Sequence, residues 1–100
     1  MLPSKEEMAL TIDEAEWSSL RAHMHRGGLI LVDDALDLAD TALKVAADDV
    51  EIIQHLVENG LIGKPSDSKI RLWEEDIHKK FAMLIVSPYV LFQEKMPTFH

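Results

Sequence analysis

The stretch FAMLIVSPYVLF, residues 81 to 92, constrains the fold more than any other part of the chain. Two apolar blocks are joined by Ser87-Pro88, and neither alternates with polar residues, which is the pattern of strands buried on both faces. Leaving two of its large side chains in water would forfeit roughly 3–6 kcal/mol at about 25 cal/mol per Å², comparable to the whole stability margin of a small domain. The stretch is shorter than the ~20 residues of a membrane-spanning helix, and a proline interrupts it. It therefore predicts two strands, 82–86 and 89–92, at the heart of a small sheet. Helices should pack on one side, and more helix or a second copy of the chain on the other. A two-residue type I′ hairpin requires positive φ at both central positions, which Pro88, locked near −65°, cannot adopt. The expected connection is a bend or bulge.

A chain of 100 residues suits one domain, expected here as a loose arm over 1–10, a compact α+β unit over 11–94 and a short tail over 95–100. The hydrophobic fraction of 47% and charged fraction of 28% are ordinary for a globular chain. A net charge of −8, with basic residues scattered along the sequence, argues against gripping nucleic acid, which demands clustered Lys and Arg. The absence of cysteine removes disulfides, thiolate metal sites and a Cys nucleophile, and fits a reducing compartment. MLPSKEEMAL lacks the apolar core of a signal peptide. The expectation is a cytoplasmic protein with no membrane partner.

About four helices can be placed. TIDE (11–14) has the form of a capping box opening a helix over 12–25, with Trp17, Leu20 and Met24 on one face and Gly27-Gly28 as its stop. LILV, 29–32, is too short for a helix and reads as a strand between Gly-Gly and Asp-Asp. Asp37 caps a helix from Leu38 that packs through Ala39, Ala42, Leu43 and Ala46. One of Asp48-Asp49 caps the next, Val50 to Glu58, with Val50, Ile53, Leu56 and Val57 on its inner side and Asn59-Gly60 as its end. A single bent helix over 38–58 is the alternative. After the GKPSDSK loop, Ser66 or Asp67 caps a fourth helix that packs through Ile70, Trp73 and Ile77.

Candidate chemistry is sparse. Asp33, Asp34 and Asp37, at a strand end and the next helix start, are the candidates for a divalent-cation site; capping and helix-dipole roles account for the same residues. His23 and His25 are two apart and point in different directions on a helix, whereas ligands on one face want a three- or four-residue spacing. His55 and His78 could meet only through tertiary structure. No serine lies in a nucleophile elbow, and no glycine-rich phosphate loop is present. The short helices around ENGLIGKPSD could suggest a DNA reader, but Glu74, Glu75 and Asp76 offset Lys69 and Arg71 on the second of them. Trp17 and Trp73 fall on inward faces. Tyr89, Leu91 and Phe92 are the candidate interaction surface.

The strings W-S-S-L, R-G-G-L-I-L-V-D, L-D-L-A-D-T-A, A-D-D, V-E-N-G-L, R-L-W and L-I-V-S-P-Y-V-L-F-Q-E, in order over residues 12 to 94, resemble a family of small bacterial proteins, domain of unknown function 2288. The resemblance implies a bacterial cytoplasmic protein of one compact domain and brings no activity, cofactor or catalytic residue. Where that pattern has a small residue other than Ser before the proline, this chain has Ser87, and where it has Pro after Val-Asp, this chain has Asp34; neither departure bears on the fold. The sequence thus predicts an α+β domain that pairs with itself and acts as a non-enzymatic binding or interaction module without a cofactor. A metal-dependent enzyme or metal binder built on Asp33, Asp34 and Asp37 is the alternative. An acidic decoy for a nucleic-acid-binding partner is a third reading.

Overall fold

The apolar ribbon does lie at the centre of a sheet. The computed structural model describes residues 4–95, and its elements follow in the order α1 (Lys5–Leu10), β1 (Asp13–Glu16), α2 (Trp17–Met24), β2 (Leu29–Val32), α3 (Leu38–Ala46), α4 (Val50–Glu58), β3 (Ile62–Gly63), α5 (Asp67–Glu75), β4 (Lys80–Val86) and β5 (Tyr89–Glu94). The sheet order is β1-β4-β5-β2-β3. All neighbours are antiparallel except β2 and β5, which run parallel with Leu29 opposite Val90 and Leu31 opposite Phe92. The fold is α+β, as expected, with five helices and a five-stranded mixed sheet among the described residues.

Side-chain alternation divides the sheet into two unlike faces. Phe81, Val90, Phe92, Leu29 and Ala15 point one way and pack with Trp17 and Leu20 of α2 and Trp73 of α5. Leu84, Leu91, Val32 and Ile62 point the other way and meet Met8 of α1, Leu38, Ala39 and Ala42 of α3, and Leu56 of α4. Both faces therefore carry helices, so of the two covers expected for the far side it is more helix that is found. The continuous apolar sequence is explained within one chain, with no need for a second copy over an open sheet face.

Several boundaries hold because the local signals are strong. Asp37 caps α3 by accepting from the Asp40 amide at 3.0 Å, and Asp49 caps α4 by accepting from Ile52. Ser66 caps α5 through the Lys69 amide. α3 and α4 are separate helices, with Asp48 between them at φ 54°, so the bent-helix alternative does not apply.

Other expectations are corrected. Residues 5–10, read as a loose arm, form α1: Ser4 caps it and Met8 seats it on the aliphatic core. Residues 1–3 of the arm and 96–100 of the tail lie outside the described residues. The TIDE capping box is not used. Thr11 instead closes α1, and Asp13–Glu16 forms an edge strand on β4. Only Ala15 of that strand is buried, and Lys95 on Glu14 (2.7 Å) and Lys80 on Glu16 (3.1 Å) hold its charged side. α2 consequently starts at Trp17, still with Trp17 and Leu20 inward. The bend expected at Ser87-Pro88 is a tight hairpin after all, with Val86 directly opposite Tyr89. The Ser87-Pro88 bond is cis, and a cis proline occupies the third position of a type VI turn, a class outside the I′/II′ pair. Gly28 runs against this turn so closely that a Cβ there would sit 2.6 Å from the Pro88 carbonyl oxygen. Ile77 lies beyond α5 and is exposed. No helix among the described residues is long and apolar enough to cross a membrane.

Candidate functional site

Two concavities hold some of the candidate residues, Asp33 and Asp34 in one and Tyr89 in the other, and they differ in chemistry. The first, about 350 Å³, lies beyond the carboxyl ends of the parallel pair β2 and β5 and is lined by Asp33, Asp34, Lys64, Ser66, Lys69 and Glu94. Several of its polar groups already serve the fold. Asp33 accepts from the Ala35 amide at 2.9 Å, forming an Asx turn, and its own amide donates to the Leu61 carbonyl at 2.8 Å. The Gln93 amide group donates to the carbonyls of Asp33 (2.9 Å) and Leu36 (2.7 Å), tying the β2–α3 connection to β5. Burial pushes the Glu94 carboxyl up. Lys69 at 3.2 Å, the Trp73 indole N–H at 3.2 Å and Lys79 at 3.4 Å outweigh that and hold it below the usual carboxylate range.

Asp37 does not join Asp33 and Asp34 in this cleft. It is occupied at the start of α3, where the Asp40 amide and then Lys5, at 3.5 Å, hold its carboxyl below the usual range although burial opposes them. Among the described residues no group of three or more His, Asp or Glu side chains could hold a metal ion. The histidines are likewise apart: the His55 ring lies beside Asn59 on α4, while His78 sits in the turn before β4. The three aspartates are two turn residues and a cap, and the metal-site reading has no geometry behind it.

The second concavity is a groove of about 410 Å³ between α4 and the first half of β2, with Tyr89 at the hairpin tip forming part of its lining. Its walls are apolar: Val50, Ile53 and Val57 on α4, Ile30 on β2, and Ile62 on β3. Val50 is 62% exposed and Val57 52%, although both were expected on the inner side of α4; only Leu56 of that helix is buried. The cause is where the sheet ends. β3 contributes two residues and pairs only with Leu31 and Val32, so α4 has too little sheet beneath it to cover its whole apolar face.

Of the expected interaction surface, only Tyr89 is at the surface, 42% exposed. Leu91 and Phe92 are fully buried, one on each face of the sheet, so neither is available to a partner. Sequence reasoning missed Val50 and Val57 as surface residues because helical period identifies an apolar side without revealing how much sheet lies under it.

A family model described as "Protein of unknown function (DUF2288)" matches residues 3–94. The NMR solution structure of PA1075 from Pseudomonas aeruginosa is similar to 93% of this chain and to 87% of that one, with 27% sequence identity and a TM-score of 0.77. No curated protein matches the chain.

Proposed function

Starting from a chain that belongs to the DUF2288 family of proteins of unknown function, we propose a non-enzymatic interaction module whose recognition surface is the apolar groove beside α4. One observation carries this reading: Val50, Val57 and Tyr89, all exposed, border a single concavity. Scattered exposed apolar residues are normal on a protein surface, but several around one hollow are the composition of a binding site. The polar cleft supports no comparable reading, because Asp33, Lys69 and Glu94 of its lining are engaged in a turn and an ion pair. The same reading places the protein in the cytoplasm, supported by a cysteine-free composition suited to a reducing compartment.

The test uses Nile red, a neutral apolar dye, with the full chain. Dye emission should rise on the native protein. It should be lost in a Val50→Glu/Val57→Lys variant that keeps the wild-type melting transition. Equal emission from that variant and the wild type would remove the groove as the recognition surface.

A further inference from the structure

Building on the groove as recognition surface, we propose that its occupant is a second copy of this chain, related by a two-fold axis that passes beside α4. Val50 and Val57 stand seven residues apart on α4, about 10.5 Å along the helix, and the hollow runs alongside them. A ridge next to a hollow is self-complementary under a two-fold rotation: each copy's α4 lies in the hollow of the other, as helix ridges lie in grooves.

Charge favours a second copy over a foreign partner. The groove is lined by one acidic and one basic side chain, Asp48 and Lys64, and neither makes an ion pair among the described residues. A uniformly basic or acidic partner would satisfy one of them and oppose the other. A two-fold pairing brings Asp48 of each copy towards Lys64 of the other and satisfies both, twice. The β1 edge carries ion-paired charges in place of an open apolar strand, Glu14 with Lys95 and Glu16 with Lys80, and helices cover the centre of both sheet faces. The net charge of −8 on each copy opposes approach at long range. The pair is therefore weak at low salt, and screening over a Debye length of about 8 Å at physiological ionic strength relieves that opposition.

The experiment is sedimentation equilibrium of the full chain at physiological salt, from low to high micromolar concentration. The weight-average mass should climb towards twice that of the monomer. Asp48→Lys and Lys64→Asp should each remain monomeric alone, because each sets like charges against one another. An equimolar mixture of the two should recover the dimer. Asp48 has φ 54°, a conformation in which Lys is less comfortable than Asp, so Val57→Lys serves as a second variant free of that strain and should also stay monomeric. A wild type that is monomeric throughout, or a mixture no more associated than its components, overturns the proposal. If that monomer still binds Nile red in a Val50- and Val57-dependent way, the groove stands as a recognition surface and only its occupant is wrong. A dimer that Val57→Lys leaves intact overturns the proposed interface.

Discussion

The two faces of the sheet are held by different means. On one, Trp17, Trp73, Phe81 and Phe92 form a cluster in which every pair of rings lies 5.1 to 6.5 Å apart at tilted or edge-on angles. Such pairs add about 0.5–1.5 kcal/mol each beyond the area they bury. The other face is aliphatic, and its fit depends on small residues: Ala39 and Ala42 let α3 lie close upon β4 and β5. The aromatic face is closed by bulk, and the aliphatic face by proximity. That difference explains where the open surface lies. Close fit requires sheet underneath, and at the β3 edge the sheet runs out, leaving α4 half-docked over a groove.

The largest effect is expected from Phe92→Ala. Its ring is fully buried and touches all three other members of the cluster. Truncating a buried aromatic costs about 3–5 kcal/mol, against a total of roughly 5–15 kcal/mol for a typical domain. The urea midpoint should fall steeply or the folded baseline vanish. A change below about 1 kcal/mol would mean that the rings are not the main closure of that face.

On the opposite face the informative change adds volume. Ala42 is fully buried between α3 and the sheet, so Ala42→Leu should cost about 1–3 kcal/mol through overpacking. Urea unfolding of the variant measures it. A neutral or stabilising result would show slack under α3 and remove the contrast between closure by bulk and closure by proximity.

How much of this contrast could be read in advance depends on the residue. LILV was legible as β2, and the caps at Asp37, Asp49 and Ser66 located three helix starts, because capping is a local interaction between a side chain and amides three residues on. The DEAE strand was not legible: its extended form comes from pairing with β4, and a single inward alanine is too little alternation to announce a strand. The two residues of β3 depend on β2 in the same way. The hairpin was not legible because proline is barred only from the I′ class, and the turn that sets Val86 opposite Tyr89 lies outside it. Of the candidate site, Tyr89 was legible and the groove was not. The groove is a gap between α4 and a sheet edge, and no residue encodes a gap.

Glu94 gives a smaller effect that distinguishes the faces by pH. Its carboxylate borders the aromatic side, accepting from the Trp73 indole N–H at 3.2 Å while pairing with Lys69 and Lys79, and it lies below the usual range despite the upward push of burial. The folded chain therefore holds that proton less tightly than the unfolded chain. Its contribution is complete above the ordinary Glu pKa of about 4.3 and is lost as pH falls through the depressed folded value. Glu94→Gln should lower stability at neutral pH and flatten the loss between mildly acidic pH and that depressed value, as read from melting temperature against pH. Parallel acid limbs for variant and wild type would show that the three partners do not favour the charged form.

The smallest effect expected is the one that most sharpens the contrast. Val57→Lys replaces an apolar residue on the same helix that Leu56 anchors, yet Val57 is half exposed and one residue from the end of α4. Lysine is the better helix former, and its charge suits the C-terminal end of a helix. Surface substitutions of this kind stay within about ±0.5 kcal/mol. The melting transition should hardly move, while Nile red emission falls. A large destabilisation would mean that Val57 is core in solution and that α4 settles onto the sheet more fully, in which case the groove closes and the aliphatic face is as complete as the aromatic one.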